Sequence, residues 1–346
     1  MHLVTFERSN THRAPNDTGA LCDAAMGFES LEPVLPGSRR IGAVVSVGTY
    51  AGWVVDLNRA LAIKLAYDDV GAPEVEANSL VPSDMLSFLR LGPAALKAAK
   101  LALDFAIETL DCYNAPDFLR AGAVEPADHL RLCAPLPRPG KIIGVSDEDL
   151  TPGTSNSDES AAPKLFLKAP SAVIGPDDEI LLPAGASRVC FQGALAAVIG
   201  VQTRNVAVAE ALDRVAGYCA ANDVLSPDLE DKSIGRSCDT FAPLGPWLVT
   251  TDEVSDPADL GFRCVVSGDV VQLSRTKEMR FSVAQIIARA STIMALEAGD
   301  VILVGAPSGV EVSREQKRWI REGDLVEIEI ESLGRLRNYV TSARSD

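Results

Sequence analysis

Val189-Cys190-Phe191-Gln192-Gly193-Ala194-Leu195-Ala196-Ala197-Val198-Ile199-Gly200 is the stretch on which the fold turns. Its apolar run over Leu195–Val201 has the length and bounding glycine of a buried β-strand, on which Gln192 and Ala194 alternate with their neighbours. Three further segments belong with it: Pro163-Lys164-Leu165-Phe166-Leu167-Lys168, Ala221-Asn222-Asp223-Val224, and Gly235-Arg236-Ser237-Cys238-Asp239-Thr240-Phe241. Strand-like runs surround them at Lys141–Val145, Lys164–Lys168, Glu179–Leu182, Trp247–Thr250, Phe262–Leu273, Asp300–Val304, Leu325–Ile330 and Leu336–Val340. Helical spacing is clear in this half only at Ala207–Ala216 and Ser282–Leu296, so an antiparallel or mixed sheet is expected. Val265 to Val271 reads as a tight hairpin, with Gly268 able to take φ > 0.

The first part of the chain has a different texture. Residues 1–39 mix polar residues with scattered Gly and Pro, while Met1 to Phe6 can supply an edge strand. Ile41–Val47 and Trp53–Asp56 form a second hairpin signal across Gly48 to Gly52. Helical spacing follows at Asn58–Ala66 and Ala94–Leu110, and Ser83 is placed to cap the helix that opens at Met85. The prolines at 135, 137 and 139 suppress helix and mark a linker. We therefore expect two domains, 1–137 and 138–346.

These segments resemble the fumarylacetoacetate hydrolase superfamily, in which the first usually reads V-D-Y-E-x-E-L-A-x-V-I-G. The resemblance extends to Arg40–Asp56, Val81–Met85 and Gly323–Glu329, and so over almost the whole chain. It implies the α+β class, with a small N-terminal α+β domain followed by a mixed β-roll that associates as a homodimer. It also implies activity on oxo acids around a divalent metal.

The residues depart from that pattern where the metal binds. Of the family's ligand positions only Asp223 keeps its acid; Gln192 and Ala194 stand where the two glutamates belong, and Cys190 replaces a nearby aspartate. A hard cation such as Mg²⁺ gains little from an amide and nothing from a methyl group. The family's G-L-N-Y-x-x-H-x-x-E segment is here Val145-Ser146-Asp147-Glu148-Asp149-Leu150-Thr151-Pro152, and the histidines are His2, His12 and His129, all ahead of the linker. No cofactor is therefore expected, with Mg²⁺ or Mn²⁺ only if the Asp147–Glu159 loop supplies replacement ligands.

What stays polar defines the candidate site. Lys168 and Arg236 are candidate anion holders, with Gln192 and Ser308 as further substrate contacts and Asp223 or Glu230 as acid/base groups. Each has a plainer reading: Asp223 as a turn or helix cap, Arg236 as an ion-pair partner of Asp239, Gln192 and Ala194 as wall residues, and the cysteines as packing groups. The expected function is that of a divergent, metal-independent enzyme of a small oxo acid or related carbonyl compound. C–C bond cleavage or formation, tautomerisation, decarboxylation and dehydration all fall within reach, in a biosynthetic step. The alternatives are a non-catalytic homologue that binds a ligand or partner subunit, and a metal-dependent acylpyruvate-type hydrolase that recruits loop carboxylates.

Bulk properties narrow the partners. The chain carries 32 Lys and Arg against 48 Asp and Glu, a net charge of −16 that repels phosphate backbones and anionic bilayers. No nucleic-acid or membrane partner is expected. The start of the chain lacks a basic stretch followed by an apolar one, so a cytoplasmic location is expected. Seven cysteines without a C-x-x-C pair fit reduced thiols.

Overall fold

The computed structural model describes residues 1–8, 37–46, 48–111, 118–119, 121–145, 162–229, 231–305 and 319–342. The Asp147–Glu159 loop, Glu230 and Ser308 lie outside them. The chain divides into two compact units, Met1–Cys133 and Ala134–Asp346. The division falls just ahead of the expected 137/138 boundary, because Leu130–Cys133 still pairs as a strand before the proline run begins.

In the first unit, β1 (His2–Arg8), β2 (Arg40–Val44), β3 (Trp53–Asp56) and β4 (Val124–Pro126) form an antiparallel sheet in the order β4-β3-β2-β1, and β5 (Leu130–Cys133) pairs with β1. Helices α1 (Leu57–Tyr67), α2 (Pro73–Leu80), α3 (Met85–Arg90) and α4 (Pro93–Asp111) accompany it. The cap of α3 is Asp84, whose carboxylate accepts the Ser87 N–H at 2.8 Å, and not Ser83 as expected. A carboxylate at this position also favours the positive end of the helix dipole. Asp56 caps α1 from inside the core and is held by Arg40, a buried charge balanced by its partner.

The second unit holds two sheets. Its larger one contains β6 (Ile142–Val145), β7 (Leu165–Lys168), β8 (Val173–Ile174), β10 (Gly193–Ile199), β11 (Val215–Asn222), β12 (Ala242–Thr250) and β15 (Val301–Gly305), in the order β12-β11-β10-β15-β6-β7 with β8 on β12. The smaller follows the order β14-β13-β16-β17-β9, from β9 (Glu179–Leu182), β13 (Gly261–Val266), β14 (Asp269–Arg275), β16 (Leu325–Ile330) and β17 (Gly334–Ser342). The hairpin between β13 and β14 turns at Ser267 and Gly268, with φ of 51° and 91°. Helix α5 (Lys232–Arg236) is capped by Asp231, and α6 (Val283–Ile293) begins on a capping box of Ser282 and Gln285.

One expectation fails in this unit. Ala207–Ala216 is not a helix but two 3₁₀ turns, Val208–Glu210 and Leu212–Arg214, followed at once by β11. The alanines favour helix locally, yet the chain here must return as a strand between β10 and β12, and pairing on both sides overrides propensity. Gly217 shows how close the packing is, since a Cβ there would stand 2.3 Å from the Val249 carbonyl oxygen.

Alternation along β10 sorts two faces. Leu195, Ala197 and Ile199 pack with Phe262, Ile328, Ile286 and Ile287 in the main core. The other face of the same strand carries the positions of interest.

Candidate functional site

The site is organised by one antiparallel register. Gln192 and Asp223 exchange both backbone hydrogen bonds, at 3.1 and 2.8 Å, and the same register joins Cys190 to Leu225 and Ala194 to Ala221. Directly opposed residues share a face, and so do residues two apart. Cys190, Gln192, Ala194 and Asp223 therefore present to one side of the ladder.

Lys168 reaches this face from the far edge of the sheet. Strand β7 stands four strands from β11, which in a flat sheet spans about 19 Å. Lys168 nevertheless pairs with Asp223 through Nζ and Oδ1 and donates to the Val224 carbonyl at 2.9 Å. The sheet must curl, and its pairing agrees: β8, a few residues beyond β7, hydrogen-bonds β12 at the opposite end.

Arg236 arrives from the last residue of α5. Asp231 fixes that helix by accepting the Ser233 and Ile234 N–H groups at 2.7 and 2.9 Å. The guanidinium pairs with Asp223 Oδ2, where the plainer reading of the sequence offers Asp239 as a partner. Its Cζ also lies 4.0 Å from the centroid of the Phe166 ring, a cation–π contact. Ser237 ties the two cation-bearing segments together, its hydroxyl accepting the Ala169 N–H at 3.1 Å.

The three charged groups are buried, with Lys168 and Arg236 each 3% exposed and Asp223 5%. Lys168 and Arg236 thus flank one carboxylate in a low-dielectric setting, where interactions between charges are strong. Burial pushes the Lys168 ammonium below the usual lysine range, while the charge and hydrogen bond of Asp223 oppose the shift. Burial raises the Cys238 thiol, and the nearby Lys168 charge pulls it the other way.

A divalent metal does not fit these residues. Asp223 has both oxygens occupied by cations, Gln192 offers only a neutral amide, and Ala194 brings no donor at all. Among the described residues no group of three or more His, Cys, Asp and Glu is arranged to hold an ion. The structure thus brings together Lys168, Arg236, Asp223 and Gln192. Phe166 joins this group without being among the candidates read from the sequence; its place two residues before Lys168, on the same side of β7, is the signal that points to it.

Comparison with known proteins agrees with the architecture. The model of the fumarylacetoacetate hydrolase C-terminal family matches residues 148–341. An oxaloacetate tautomerase of Xenopus laevis, described as mitochondrial, is 35% identical over 97% of this chain and 95% of its own length. A 2-hydroxyhepta-2,4-diene-1,7-dioate isomerase from Mycobacterium marinum superposes with a TM-score of 0.57 at 38% identity, covering 65% of this chain and 82% of its own. The maleylpyruvate hydrolase of Sphingobium sp. SYK-6, solved with manganese(II) and pyruvate, gives a TM-score of 0.61 at 27% identity over 88% and 97% of the two chains. No helix among the described residues is long and apolar enough to cross a membrane.

Proposed function

The chain belongs to the fumarylacetoacetate hydrolase family, and on that premise we propose that it is an enzyme of a small oxo acid whose site works with protein cations in place of a divalent metal. The observation that carries this reading is the Lys168–Asp223–Arg236 cluster, seated on the face where Gln192 and Ala194 stand for metal-binding glutamates.

Keto–enol tautomerisation or a related double-bond isomerisation is the chemistry that this cluster suits. The Asp223 carboxylate takes the proton from the carbon beside the carbonyl, the electron pair moves onto the carbonyl oxygen where Lys168 and Arg236 stabilise it, and the proton is then returned to that oxygen to give the enol. Lys168 has three N–H donors, of which Asp223 and Val224 take two. Hydrolysis asks for more, since a water must be held and activated in addition to the substrate, and the chain has no histidine after His129 to do so. The relatives described as an oxaloacetate tautomerase and an isomerase support the same choice. A homodimer in the cytoplasm is part of this proposal.

A second reading rests on a specific observation. The Lys168 side chain is 0% exposed, and its bonds run to protein atoms, as they do in a purely structural ion-pair cluster. That protein binds a ligand or partner without turnover.

Turnover of purified protein on oxaloacetate and on a panel of short 2-oxo acids separates the two. The proposal expects tautomerisation that Lys168→Ala and Arg236→Ala abolish. Absence of turnover across the panel, with a well-folded protein, overturns it in favour of the second reading.

A further inference from the structure

Gly144 and Phe166 are directly opposed on β6 and β7, so both face the side of the sheet that carries Lys168. The glycine is needed there. A Cβ at position 144 would stand 2.2 Å from Phe166 Cζ and 2.7 and 2.8 Å from Cε1 and Cε2, well inside van der Waals contact. The ring therefore extends over the bare backbone of Gly144, and the Arg236 guanidinium stacks on it with Cζ 4.0 Å from the centroid.

A column follows in which each member sets the next: Gly144 makes room for the ring, the ring seats the guanidinium, and the guanidinium meets Asp223. Arginine has several rotatable bonds, and the contact of its Nη1 with Asp223 does not by itself fix the plane of the fork. An aromatic face fixes the plane. We infer that Phe166, with Gly144 beneath it, is a positioning residue that holds the Arg236 guanidinium in the orientation in which it meets an anionic substrate. The inference rests on the proposed function, because it presumes that Arg236 binds that anion.

Pyruvate is a suitable probe, being a small 2-oxo acid, and its binding can be titrated calorimetrically on the full chain. Phe166→Leu keeps an apolar side chain on β7 but removes the π-face, and should weaken pyruvate by roughly three- to tenfold, the usual worth of such a contact. Phe166→Tyr retains the face and should bind like wild type. The decisive comparison is the double variant: if the ring acts through Arg236, adding Phe166→Leu to Arg236→Ala produces no further loss.

Multiplying losses in the double variant, or an unchanged affinity in Phe166→Leu while Arg236→Ala is weakened, overturns the positioning role and leaves the proposed function standing. Unchanged affinity in Arg236→Ala overturns the function itself, and this inference with it. Should Phe166→Leu fail to fold, Gly144→Ala keeps the ring but displaces it, and the same loss is expected, again absent in the Arg236→Ala background.

Discussion

Gln192 and Asp223 face each other as a hydrogen-bonded pair, each donating its N–H to the other's carbonyl, at 3.1 and 2.8 Å. This pair sets the register that puts residues 190, 192, 194 and 223 on one face. Gln192→Glu with Ala194→Glu should therefore collect three carboxylates there. Ala194 is 0% exposed, so the second glutamate buries an uncompensated charge and the metal-free variant should melt below wild type. Mn²⁺ should reverse the loss, by about 2.7 kcal/mol at a hundredfold excess over its dissociation constant. Thermal melts with and without Mn²⁺ check this, and melting that ignores Mn²⁺ would mean that the side chains do not converge.

Arg236→Ala removes one of the two cations on Asp223. Breaking a buried pair from one side typically costs about 3–5 kcal/mol, and Lys168, left in place, should hold the loss to the lower end. Pyruvate affinity should fall by roughly ten- to a hundredfold, the usual worth of one charge-assisted contact. Arg236→Lys should recover stability more fully than binding, since an ammonium lacks the planar fork. Measuring melting and binding on both variants distinguishes a site from a strut: loss of stability with unchanged affinity would mean a strut.

Gly235→Ala probes how α5 is seated. A Cβ at Gly235 would lie 2.1 Å from the Ser226 carbonyl oxygen, a backbone atom unable to swing aside as a flexible side chain would. Overpacking of this kind costs about 1–3 kcal/mol, and the helix end bearing Arg236 should shift with it. Denaturant unfolding should show the loss, together with weaker pyruvate binding. Wild-type values for both would show that the helix is free to adjust.

Much of this architecture was legible in the chain. The strand-like runs Glu179–Leu182 and Leu325–Ile330 appear as β9 and β16 with those bounds, and residues from the four quoted segments meet at Asp223. Two things were hidden. Strand β11 lay hidden behind an alanine-rich approach whose local preference is helical, and only its two neighbours make it a strand. The contact of Lys168 with Asp223 depends on the curl of the sheet, which brings strands four places apart together and is a property of the whole pairing order.

Alkaline conditions should weaken the fold through its buried hydroxyl and thiol groups. Burial pushes Cys219 and Cys264 from 9.0 to about 12, and Tyr218 from 10.0 to about 12. The native protein therefore keeps protons that the unfolded chain releases above pH 9, so stability is full below that point and falls as pH rises towards 12. Denaturant midpoints measured from pH 7 to pH 11 should decline, less steeply in Cys219→Ala and Cys264→Ala. A flat profile in the wild type would contradict the burial of these groups.

Fixed cations standing in for a metal make the rate of oxaloacetate tautomerisation on chelator-stripped protein the deciding measurement. Stripping should leave the rate unchanged, added Mg²⁺ or Mn²⁺ should not raise it, and Arg236→Ala should abolish it under both conditions. A rate that vanishes on stripping and returns with stoichiometric Mn²⁺ would mean that the enzyme depends on a metal after all.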